Sequence, residues 1–226
     1  MAGTGGFRRD KGDTGDKGKN STSGSSVSSD PSVSRKVLYV SGEESEDQIK
    51  LRADRILGDS IASLQNDNFL ILSTSDVDAI VQIIQDIKPS VVIIDSIQTM
   101  QTVNIDSFAG SVGQIRYAAA SFIKLAKSLG IPTIMVGHVT KEGMVAGPMV
   151  LSHMVDTVLF FEGEKLTKTR ILRSLKNRFG PVDEVGVFSM EGEGISEVKN
   201  PEQIFLTKQK EITPGSVLTV MQEGSR

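Results

Sequence analysis

Cysteine is absent from the 226 residues, which excludes disulfides and any Cys-ligated zinc site within this chain and agrees with a reducing cytoplasm. Charge of one sign is also lacking. Against 25 Lys and Arg stand 28 Asp and Glu, a formal net charge of −3. The whole surface therefore exerts no general pull on nucleic acid, and any DNA contact has to come from a local patch. No apolar run approaches the ~20 residues of a membrane span, and the first residues lack a signal-peptide stretch. A soluble, cytoplasmic protein without membrane partners is expected. No G-x-G-x-x-G lies between an expected strand and an expected helix, which leaves a dinucleotide-binding enzyme as a remote alternative.

What is present is unevenly spread. Hydrophobic residues make up 38% and charged residues 23%, but residues 1–35 hold only Met1, Ala2, Phe7, Val27 and Val33 as apolar side chains. Such a segment buries too little surface to offset its ordering entropy and is expected to be disordered. From Lys36 the pattern changes. Short apolar runs at 37–41, 69–73, 91–95 and 131–136 read as buried parallel strands. Between them, helical spacing covers 45–57, 77–87 and 112–129, with Ser45 and Ser75 as caps and Gly130 as a stop. After Asp156 three strands follow, at 157–161, 169–176 and 184–190, joined by turns at Gly163 and Gly180-Pro181. The fold class is α/β: a mostly parallel sheet flanked by helices and continued by antiparallel strands. Long irregular loops at 97–111 and 140–148 have the length of functional connections.

The candidate chemistry clusters at strand tips, where α/β sheets place their sites. Asp95 ends a strand without another polar residue, the pattern of a Walker B carboxylate that holds Mg²⁺; many α/β strands also end in Asp for structural reasons. Glu43 and Glu44 follow the tip at Ser41-Gly42. There a carboxylate can orient or deprotonate a water, or merely favour a helix start. His138 sits at another tip, able to donate to a phosphate or to serve as an ordinary structural group. Arg170, Lys176 and Arg178 share a strand face if period two holds. They form either a cationic finger for a neighbour's nucleotide or DNA phosphates, or a solvated edge. His153, Met149 and Met154 read as packing.

Taken in order, VLYVSGEES at 37–45, QIKLRADR at 48–55, VIIDSIQT at 92–99, GSVGQIR at 110–116, GHVTKEG at 137–143, HMVD at 153–156 and KNRFG at 176–180 closely resemble the bacterial RadA (Sms) DNA-repair family, a branch of the RecA-like ATPases. The resemblance runs from about residue 36 to the end, and KNRFG argues against other RecA-like ATPases such as KaiC-like proteins or replicative helicases. It implies ATP and Mg²⁺ as cofactors, Asp95 as the Walker B ligand, and Glu43 or Glu44 as the catalytic acid. The loops, with Lys141, would contact single-stranded DNA, while Lys176, Asn177 and Arg178 would couple nucleotide to DNA between protomers. It further implies a hexameric ring that acts with a RecA-type recombinase on recombination intermediates, promoting branch migration.

Two departures from that pattern shape the expectation. The family's Cys-rich zinc module and Lon-like domain are not seen, so the chain is expected to be a core at 36–200, with 201–226 leading toward the missing domain. The phosphate loop G-x-x-x-x-G-K-[ST] is approached only by GDTGDKGKNST at 12–22. There Gly18 and Lys19 stand in place, but five residues rather than four precede Gly18 after Gly12, and Asn20 takes the hydroxyl position. A strand and an amphipathic helix around the loop are not visible. A shifted reading frame across 1–35 is the expected origin, with lost ATP turnover as its consequence. The missing strand is expected beside the Walker B strand. The competing reading is a non-catalytic DNA-binding or oligomerising piece.

Overall fold

The computed structural model describes residues 36–58, 68–138, 151–163, 167–192 and 194–201. The expectations for 1–35 (Gly18 and Lys19 among them), for the loop at 140–148 with Lys141, and for the tail after 201 lie outside the described residues.

Four apolar runs become strands β1 (Val37–Ser41), β2 (Phe69–Ser73), β3 (Val91–Asp95) and β4 (Thr133–Met135). All pair in parallel, in the order β2-β1-β3-β4. β4 is shorter than the run at 131–136. Pro132 has no N–H to give to a ladder, and its carbonyl only accepts, from the Val92 N–H at 3.0 Å. Register puts Ser41 beside Asp95, so β1 and β3 end at one edge.

Helix α1 (Glu46–Leu57) begins at a capping box: the Gln48 N–H donates to Ser45 Oγ at 3.4 Å and the Ser45 N–H to Gln48 Oε1 at 3.0 Å. Helix α2 (Val77–Ile87) is capped by Asp76 rather than Ser75. Asp76 Oδ1 accepts from the Asp78 and Ala79 N–H groups at 2.9 and 3.2 Å, and a full negative charge suits the positive helix end better than a hydroxyl. Helix α3 (Val112–Leu129) starts at Ser111 and stops at Gly130, whose φ of 67° is open to glycine without strain.

The core forms where the apolar stripes of α2 and α3 close over one face of the sheet. Val77, Ile80 and Ile84 from α2 and Ile115, Ala118, Phe122 and Leu125 from α3 bury Leu38, Val40, Val92 and Ile94. Burying each large side chain contributes about 1.5–3 kcal/mol. The opposite face, with Tyr39, Ile71 and Ile93, is only half-buried.

Strand β3, which ends in Asp95, has no vacant neighbour. β1 and β4 occupy both hydrogen-bonding edges of β3, which corrects the expectation of a missing strand at its side. Among the described residues the parallel sheet is open at the outer edges of β2 and β4 instead.

The antiparallel strands β5 (Thr157–Glu162), β6 (Thr169–Asn177), β7 (Val185–Met190) and β8 (Ile195–Glu197) form a sheet of their own, in sequence order. β8 carries no periodic signal, because its three residues are all exposed. Between β5 and β6 the pairing shifts by one, from Val158↔Lys176 to Leu159↔Ser174, a bulge at Leu175. Neighbours in β5 point to opposite faces, so their partners Lys176 and Ser174 do too. Arg170 keeps step with Ser174. The expected shared face of Arg170, Lys176 and Arg178 therefore does not exist.

Candidate functional site

The site begins at a glycine. The Gly42 N–H donates to the Asp95 carbonyl at 3.0 Å, drawing the turn after β1 over the tip of β3. A Cβ at Gly42 would stand 2.1 Å from Thr99 Oγ1 and 2.8 Å from Thr99 Cβ, closer than any real contact. Thr99 is fixed in turn, its hydroxyl donating to the Ser96 carbonyl at 2.8 Å, within the single 3₁₀ turn Ile97–Thr99. The Asp95–Ser96 peptide is cis.

The two glutamates that follow part company. Glu43 Oε1 accepts from the fully buried Ser96 hydroxyl at 2.8 Å and lies 3.9 Å from His138 Nε2. Glu44 turns the other way, into an ion pair with Arg52 of α1, while its backbone N–H donates to Ser41 Oγ at 2.9 Å. His138 belongs to the turn after β4. Its carbonyl accepts from Gln98 Nε2 at 2.9 Å, tying that turn to the one after β3. Gln98 Oε1 is buried without a hydrogen-bond partner among the described residues.

Asp95 receives the Tyr39 hydroxyl on Oδ2. Burial first, then the hydrogen bond and the charge of Asp95, push the Tyr39 hydroxyl well above the usual tyrosine range. It stays a donor at any neutral pH. Sequence reasoning missed Tyr39 and Ser96. The legible signal for Tyr39 was a hydroxyl inside an aliphatic strand, because a buried tyrosine O–H needs a partner.

Asp95, Glu43 and Ser96 offer only oxygen donors, the hard ligand set that Mg²⁺ takes. Among the described residues no cluster of three or more His, Cys, Asp or Glu could hold a metal by itself.

The KNRFG cations are engaged internally. Lys176 Nζ donates to the Ser152 and Val155 carbonyls at 2.8 and 2.7 Å. Arg178 Nη1 pairs with Asp156 Oδ1 at 2.9 Å, both half-exposed. Asn177 shapes the turn, accepting from the Phe179 N–H at 3.0 Å and donating to the Pro181 carbonyl at 3.3 Å.

The loop between β3 and α3 is organised by Gln114, which is 1% exposed. Its Oε1 accepts from the Thr102 N–H at 2.9 Å, and its Nε2 donates to the Thr102, Ile105 and Ser107 carbonyls at 3.0, 3.0 and 3.1 Å. Asp78 adds a second anchor, accepting from the Thr102 and Tyr117 hydroxyls at 2.6 and 2.9 Å. Val103 and Phe108 are left 96% and 92% exposed on a loop that is itself pinned.

A family model described as an AAA domain matches residues 20–144, more than half of the chain. The DNA repair protein RadA of Bacillus subtilis is 50% identical over 193 residues, which is 85% of this chain and 41% of that protein. The chain is a RadA-type member of the AAA-domain family. RadA of Pseudomonas aeruginosa is 48% identical over 189 residues, 84% of this chain and 40% of its own. RadA of Streptococcus pyogenes serotype M1 is 50% identical over 190 residues, 84% and 41% respectively. The chain thus spans about two-fifths of the length of these curated relatives. The family accounts for the RecA-like arrangement of parallel sheet and helices. No helix among the described residues is long and apolar enough to cross a membrane.

Proposed function

We propose that this chain is the core of an ATP-dependent DNA repair motor that binds single-stranded DNA and promotes branch migration of recombination intermediates. The observation that supports it is the meeting of Glu43, Ser96 and His138 at the sheet edge that carries Asp95. In this reading Glu43 takes the proton of an attacking water, and the Ser96 hydroxyl holds that carboxylate in line. Asp95 would hold Mg²⁺, which when bound neutralises charge on the outer phosphates. His138, exposed beside Glu43, donates to a phosphate oxygen. The pinned loop with Val103 and Phe108 offers apolar surface on which unpaired bases can stack or pack. Arg178, and Lys141 in the second loop, supply local positive charge toward DNA. Rings of copies, and a recombinase partner, belong to the same proposal.

A second reading has its own observation. The spacing around Gly12, Gly18 and Lys19 departs from the phosphate-loop pattern, which favours a piece that binds DNA without turning over ATP. Phosphate release from Mg-ATP, with and without single-stranded DNA, separates the two. Background release alongside salt-dependent DNA binding supports the second; steady, DNA-stimulated release with micromolar Mg-ATP binding by calorimetry supports the first. Absence of DNA binding at low salt defeats both.

A further inference from the structure

Tyr39 lies on the half-buried face of the sheet, one pleat below the site. It pairs with Ile93 in register, and Asp95 is two residues further along β3, hence on the same face. Two residues of strand rise about 6.6 Å, a gap that a tyrosine side chain bridges and an aliphatic one does not. The ring is placed from its other side by Phe69, with centroids 6.3 Å apart and planes tilted by 40°. The hydroxyl then reaches Asp95 Oδ2. Among the described residues no other hydrogen bond or ion pair reaches that carboxylate.

We propose that Tyr39 is the positioning residue of the metal-binding carboxylate, holding one oxygen of Asp95 so that the group meets a divalent cation in a fixed orientation. This rests on the reading of Asp95 as the Mg²⁺ ligand given above. Groups that orient a metal ligand from behind change metal affinity when removed, although they never touch the ion. The chain contains its own control: its only other tyrosine, Tyr117, donates to Asp78 Oδ1 at 2.9 Å, the same bond in a different place.

The test uses the full chain with Mn²⁺ as probe for Mg²⁺, bound and free ion being counted by electron paramagnetic resonance in the presence of ADP. Tyr39→Phe is expected to weaken Mn²⁺ binding about tenfold, Tyr117→Phe to leave it unchanged, and Asp95→Asn to abolish it. If Asp95→Asn loses the ion while Tyr39→Phe stays within about twofold of the unsubstituted chain, the role of Tyr39 is overturned and the reading of Asp95 stands. If Asp95→Asn retains the ion, or the unsubstituted chain binds none, the reading of Asp95 itself falls. A second measurement needs no change at Tyr39. The chain has no tryptophan, so in the Tyr117→Phe protein Tyr39 is the sole fluorophore of its class. Mn²⁺ is expected to quench it in step with the resonance titration; saturation of the ion site without quenching overturns the proposal.

Discussion

At Gly42 the backbone has come so close to Thr99 that a methyl group has no room. Gly42→Ala is therefore expected to lower stability by about 1–3 kcal/mol, the range of overpacking, and to loosen Glu43 from Ser96. Urea denaturation measures the first effect. The neighbouring glutamates show what residue types alone leave open. Both are acids just past a strand tip, and sequence gives them equal claim. Only the direction of the chain after Gly42 assigns Glu43 to Ser96 and Glu44 to Arg52. Lysine and arginine in KNRFG part in the same way. Lys176 holds two carbonyls in a partly buried place, whereas the Arg178 pair is half-exposed. Lys176→Met is expected to cost about 2 kcal/mol, against less than about 1 kcal/mol for Arg178→Ala. Thermal melts of the two variants check the order.

Among the elements, the strands and helices were legible because their periodicity is strong and their stops are chemical: Ser45 and Gly130 act where they stand, while the cap of α2 falls on Asp76, one residue past the expected Ser75. The bulge at Leu175 was not. One extra residue changes no composition but reverses every side chain beyond it, and so it removed the cationic stripe that period two promised. The loop after β3 was legible only as a long connection. Its order depends on Gln114, a polar residue on a helix that otherwise buries apolar ones, bonded to groups up to twelve positions back. Gln114→Leu leaves the Thr102 N–H and three carbonyls short of partners. A loss of about 2–4 kcal/mol is expected, with faster amide exchange at Thr102 than at the α2 core. Unchanged exchange at Thr102 would remove Gln114 from that role.

For the molecule as a whole, two properties follow from the sheet. β4 is short and pairs on one side among the described residues, and Ile134 on it is 54% exposed. Such an edge invites association. Ile134→Lys is expected to reduce light scattering on warming while leaving the melting temperature nearly unchanged; a large fall in melting temperature would mean that Ile134 is structural. The second property is activity. Steady, DNA-stimulated phosphate release from Mg-ATP is the expected result if the chain is a motor core, and background release is expected if the spacing at 12–22 makes it a non-catalytic piece.

Sequence alone determined the alternation of strands and helices, the pairing of acids and histidine with strand tips, and the family. These rest on side-chain chemistry and short-range spacing, which a linear chain carries in full. Tertiary structure decided which strand neighbours which, which glutamate faces the site, and that Tyr39 reaches Asp95. Each of those depends on residues tens of positions apart meeting across a sheet, where register rather than residue type sets the distance.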